Sequence, residues 1–112
     1  VRSLEGKIMY RDVLRKIVLE GWLYYILTHD CTYYVIVDKP LSAEELAKCY
    51  EKAYGKKVSE KEVERLREVL RVGQVDEELW QASPLSIVSL SLGDILEKIA
   101  GKHVRITIEI LE

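Results

Sequence analysis

Phenylalanine and asparagine are absent from this 112-residue chain, and glutamine occurs only as Gln74 and Gln81. Loss of thermolabile amides alongside abundant Glu and Lys is a hyperthermophile pattern, so a thermophilic archaeal or bacterial source is expected. Without Phe, the seven Tyr and two Trp must supply the aromatic core, their polar tips reaching its edge. Two cysteines, Cys31 and Cys49, are too few for a disulfide framework, and their spacing is not that of a zinc site. They read as small buried apolar residues, with a mutual disulfide as the alternative in a hyperthermophile. No apolar run approaches the roughly 20 residues of a membrane helix. Val1–Tyr10 lacks the apolar stretch and cleavage site of a signal peptide, which makes the cytoplasm the expected compartment. Valine at position 1 is consistent with a non-AUG start codon, with Met9 as an alternative start.

What is present is a chain 48% hydrophobic and 32% charged, a balance that excludes intrinsic disorder. Its length suits one domain with a real core. The formal net charge of -2 is unevenly spread. Residues 1–40 hold six Lys/Arg against five Asp/Glu, residues 41–73 eight against seven, and residues 74–112 three against seven. A dedicated nucleic-acid binder is more often strongly basic, so any such contact would have to use a local patch.

Residues 1–7 read as a loose leader. From Ile8 to about Thr28 the apolar residues Tyr10, Leu14, Ile17, Val18, Gly21, Trp22, Tyr25 and Ile26 recur at three- and four-residue steps, predicting a helix. Cys31–Asp38 is rich in β-branched and aromatic residues and predicts a strand over 31–38, stopped by Lys39-Pro40. Leu41–Gly73 then carries two sets of helix punctuation. Ser42 with Glu45, and Ser59 with Glu62, match capping boxes; Gly55 and Gly73 are placed as terminating glycines. Ala43, Leu46, Ala47, Tyr50, Ala53 and Tyr54 form one apolar face, and Val63, Leu66, Val69 and Leu70 the other. Beyond an acidic loop at 74–84, with a short strand near Gln74-Val75 as the alternative for its start, Ser86–Leu92 alternates as a half-exposed strand. Asp94 heads a short helix over 95–100, and His103–Leu111 alternates Val104, Ile106, Ile108 and Ile110 with Arg105, Thr107 and Glu109 as a further strand. The expected architecture is a single α+β domain over 1–112, with a helical core over 8–75, a β-α-β tail over 86–112, a small antiparallel or mixed sheet, and the order α-β-α-α-(β)-β-α-β.

The capped pair, with Ser42-Ala43-Glu44-Glu45-Leu46-Ala47, the turn at Gly55, Val58-Ser59-Glu60, Val63–Leu70 and Gly73-Gln74-Val75, resembles the helix-turn-helix core of winged-helix domains over roughly residues 10–75. Two features depart from that family: the segment between the helices is longer, and so is the tail where a wing would stand. The resemblance implies that the second helix enters the DNA major groove. Lys56, Lys57, Lys61, Arg65, Arg67 and Arg71 are then the nucleic-acid-binding candidates, interleaved with Glu60, Glu64 and Glu68. Trp80, in an acidic segment, is the candidate anchor for a protein partner or else a lid on the core.

No catalytic constellation is legible. His29-Asp30-Cys31 are consecutive and read as a loop rather than a converging site, no serine has a nucleophile-elbow context, and no phosphate loop exists. Neither a metal nor a cofactor is expected. The reading is a small non-enzymatic nucleic-acid-binding or transcription-regulatory module, forming a homo-oligomer, most simply a dimer. The alternative is a protein–protein interaction subunit of a larger archaeal assembly, using the acidic C-terminal part.

Overall fold

The computed structural model describes residues 16–112, together with the backbone of Arg2–Ser3 (β1) and Met9–Tyr10 (β2), which pair antiparallel. The other residues of the expected leader, and Ile8 and 11–15 of the expected first helix, lie outside the described residues. The remaining elements are β3 (Trp22–Leu27), β4 (Thr32–Val37), α1 (Ala43–Tyr54), α2 (Glu60–Arg71), β5 (Gln74–Asp76), α3 (Glu77–Ala82), α4 (Leu85–Val88), β6 (Leu90–Ser91) and α5 (Leu92–Lys98). The fold is α+β, with a four-stranded mixed sheet in the order β5-β3-β4-β6.

The first correction falls on the helix expected from Ile8 to about Thr28, because Met9–Tyr10 and the apolar run Trp22–Leu27 are strands. Six consecutive apolar residues satisfy a helical stripe and a buried strand equally. Here the tie is broken by a partner: β4 lies antiparallel with Trp22 opposite Val37 and Leu27 opposite Thr32. Thr28 closes the hairpin, its hydroxyl donating to the Cys31 carbonyl at 2.8 Å and accepting from the Cys31 amide at 3.0 Å. His29, Asp30 and Cys31 therefore form a turn. On the far side of β3, β5 runs parallel, with Ile26 beside Val75.

The helix pair forms where the caps place it. Ser59 accepts from the Glu62 amide at 3.2 Å while the Glu62 carboxylate accepts from the Ser59 amide at 3.2 Å, a complete capping box. At α1 only half of the expected box is made. Ser42 accepts from the Glu45 amide at 3.3 Å, but the Glu45 carboxylate turns to Lys39 at 3.5 Å instead. Gly55 ends α1 at φ 68°, a left-handed conformation that disfavours side chains with a Cβ. The α1–α2 connection is held by Glu51, whose carboxylate accepts from the Val58 amide at 2.7 Å. Replacing Ser59 by alanine removes one partner of the box and should cost about 0.5–2 kcal/mol, read as a lower urea midpoint with unchanged slope.

Two apolar clusters follow. Tyr24, Ile26, Val35, Val37, Val75 and Trp80 share the helix-covered face of the sheet. Ala43, Leu46 and Leu66 join α1 to α2, and Leu41, Leu70 and Leu79 touch both clusters. Tyr24 is buried, but its hydroxyl accepts from the Leu41 amide at 2.9 Å, so the chain entering α1 is tied to the sheet.

The β-α-β tail differs most from expectation. Leu85–Val88 is a helical turn rather than a strand, and only Leu90–Ser91 pairs with β4. Local serine chemistry explains the turn: Ser83 accepts from the Leu85 amide at 3.2 Å, and Ser86 donates to the Ser83 carbonyl at 2.8 Å. The last helix starts at Leu92 rather than Ile95, and its N-cap is Ser91, with no side-chain cap bond; Asp94 lies inside the first turn. The strand expected over His103–Leu111 pairs with no described strand, and residues 103–112 are all exposed.

Candidate functional site

The parallel pairing of β3 and β5 brings their carboxyl ends together, with Leu27 opposite Asp76. A cleft of about 600 Å³ opens there. One wall comes from Tyr50 of α1, Val58, and Glu62, Arg65, Leu66 and Val69 of α2. The other comes from Leu27, Thr28 and His29, and from Asp76, Glu77, Glu78 and Leu79 where β5 passes into α3. Carboxyl ends of neighbouring strands are a common place for ligands in α/β layers, because loops diverge there and leave a crevice.

The composition of the cleft is specific. Its apolar wall is Leu27, Tyr50, Val58, Leu66, Val69 and Leu79. Its charged lining is Glu62, Asp76, Glu77 and Glu78 against the single guanidinium of Arg65 and the imidazole of His29. On the adjoining sheet, burial, with smaller contributions from the Glu77 carboxylate and Cys31, pushes the Tyr33 phenol above its usual range. Such a surface repels phosphate and attracts cationic groups, with apolar area beneath them.

The six basic candidates do not converge. Arg67 is engaged by Glu44 and Glu64, and Arg71 by Glu68. The hydrogen bond from Arg67 holds the Glu44 carboxyl below its usual range, and the same bond raises Arg67. Arg65 turns into the cleft. Lys56 and Lys57 occupy the α1–α2 turn and Lys61 the start of α2, all exposed and without an ion pair among the described residues. At helical spacing, the side of α2 opposite Leu66 and Leu70 is centred on Glu64 and Glu68, which are well exposed. The helix that the winged-helix resemblance would send into a major groove thus presents a mixed face, on which Glu64 and Glu68 are flanked by Lys61 and Arg71 and paired with Arg67 and Arg71.

Trp80 also lies elsewhere than a partner anchor would. It is 3% exposed and packed among the sheet-face residues, so it is a core residue. Its place in an acidic stretch hid this: Glu77 and Glu78 occupy the first turn of α3, while Trp80, later in the same helix, is buried. Leu27, Val58 and Val69 in the cleft carry no sequence signal of a shared site, because three separate elements deliver them. Cys31 is exposed and Cys49 half-buried, both as free thiols. Among the described residues no group of three or more His, Cys, Asp or Glu is placed to hold a metal ion, and no helix is long and apolar enough to cross a membrane. No family model matches the chain, and no curated protein or solved structure matches it either.

Proposed function

We propose that the chain is a non-enzymatic protein-interaction module, and that its cleft takes an apolar segment flanked by lysine or arginine from a protein partner. The observation that carries this reading is the cleft itself, a six-residue apolar wall rimmed by Glu62, Asp76, Glu77 and Glu78. An apolar anchor in such a groove supplies affinity, while the rim selects the sign of the flanking charge and speeds encounter.

The test is a titration with a synthetic amphipathic peptide of leucine and lysine, followed through backbone amide shifts. The expected result is perturbation at Val58, Val69, Glu77 and Glu78, and affinity at least about tenfold weaker in the Glu77→Lys, Glu78→Lys variant. Absence of binding, or binding indifferent to both reversals, would sink the reading.

A second reading, contact with nucleic acid, rests on the exposed Lys56, Lys57 and Lys61 at the α1–α2 turn. It requires binding to a DNA duplex that falls steeply with salt and is weakened by Lys57→Glu.

A further inference from the structure

Residues 103–112 carry the most regular alternation in the chain, yet they pair with no described strand. Ile106 is 64% exposed, Ile108 83% and Ile110 84%. A β-patterned segment with its apolar row in water forgoes the main driving force of folding until something covers it.

The sheet has a matching deficit. Helices cover the face that bears Tyr24, Ile26, Val35 and Val37. By strand alternation Leu23 and Tyr25 of β3 and Tyr34 and Ile36 of β4 lie on the opposite face, where Ile36 is already buried and the open part is the end around Leu23 and Tyr34. There the Tyr25 and Tyr34 rings meet at a tilt of 50° with centroids 6.1 Å apart, while Leu23 remains 54% and Tyr34 49% exposed. None of these three residues lines the cleft.

What identifies the partner is the charge order of the segment, which is self-complementary when read against itself antiparallel. With Thr107 opposite Thr107 of a second copy, Arg105 meets Glu109, Lys102 meets Glu112, Val104 meets Ile110 and Ile106 meets Ile108, with His103 against Leu111 as the one mismatch. Directly opposed residues lie on one face of a ribbon, so both apolar rows fall on the same side and both Arg–Glu pairs on the other. Moving the two-fold centre to Ile106 sets Arg105 against Thr107 and His103 against Glu109. Moving it to Ile108 sets Arg105 against Leu111 and Val104 against Glu112. Odd shifts set Ile106 and most of the other apolar residues opposite polar ones.

We propose that residues 102–112 pair with the same residues of a second copy as an antiparallel ribbon centred on Thr107, whose apolar side covers the open sheet face around Leu23 and Tyr34. The assembly is a two-fold dimer, in which each contact is made twice. Packing against the sheet is part of the proposal, because an isolated two-stranded ribbon is only marginally stable in water. The dimer uses a surface separate from the cleft, so each copy keeps its own cleft available.

The decisive experiment is a charge swap read by sedimentation equilibrium and native mass spectrometry. The unsubstituted 112-residue chain should sediment at twice 13.0 kDa. Arg105→Glu alone and Glu109→Arg alone each set like charges opposite one another at two symmetry-related positions. Each should weaken dimerisation by about 10- to 100-fold. Mixing the two variants restores both pairs in a heterodimer, which should form at close to the natural affinity and exclude either homodimer. Because both positions are exposed, circular dichroism should show both variants as folded as the natural chain. A natural chain that stays monomeric at its highest soluble concentration overturns the proposal. A dimer indifferent to both reversals, with no preference for the heterodimer, overturns it equally.

Discussion

Replacing Trp80 by alanine is expected to destabilise the chain by about 3–5 kcal/mol, the range for truncating a fully buried Trp. Trp80 is 3% exposed and packs with Tyr24, Ile26, Val35, Val37 and Val75, so its removal leaves a cavity between α3 and the sheet. β3 and β4, which supply four of those residues, each have a strand on both sides and cannot collapse freely to fill it. Against a total stability of roughly 5–15 kcal/mol this is a large share, and the variant should show a much lower urea midpoint. Circular dichroism is the suitable probe, because Trp22, at 39% exposed, would dominate the remaining fluorescence. Trp80→Phe keeps most of the buried ring and should lose less. Unchanged stability in Trp80→Ala would mean that the side chain is not in the core and would return it to the role of a partner anchor.

Leu46→Ala should cost about 2–5 kcal/mol through the other cluster. Leu46 is 2% exposed and sits with Ala43 and Leu66 where α1 meets α2. The expected consequence goes beyond stability, because Leu66 also lines the cleft. Loosening the helix pair moves one cleft wall relative to the β5–α3 wall. Peptide affinity should therefore fall even at temperatures where the variant remains folded, as calorimetric titration would show. Full stability loss with unchanged affinity would mean that the cleft does not depend on the helix pair. The two variants separate the clusters: Trp80→Ala acts on the sheet side and Leu46→Ala on the helix side, with Leu41, Leu70 and Leu79 bridging them.

The helix pair was legible because its signals are local. A serine hydroxyl bonding an amide three residues on, or a glycine at positive φ, needs nothing from the rest of the chain. The hairpin's first strand was not legible for the converse reason. Trp22–Leu27 has no polar residue to reveal its period, and only pairing with β4 and β5 distinguishes strand from helix there. The surroundings of the basic residues were hidden in a related way. Their number along α2 can be counted in sequence, but whether each faces solvent, a glutamate or the cleft depends on how α2 sits against α1 and α3. Arg67 is the clearest instance, since one of its partners, Glu44, belongs to another helix.

The sequence by itself therefore determined the α+β class, the two helices from Ala43 to Arg71, and the strand at Thr32–Val37, all through short-range bonding and apolar pattern. It also wrote the palindromic charge order around Thr107, a property of residue order alone. Tertiary structure decided which of two readings an apolar run takes, turned Trp80 inward, and assembled the cleft. Those outcomes depend on contacts between residues far apart in the chain, and a local pattern carries no record of them until the sheet has formed.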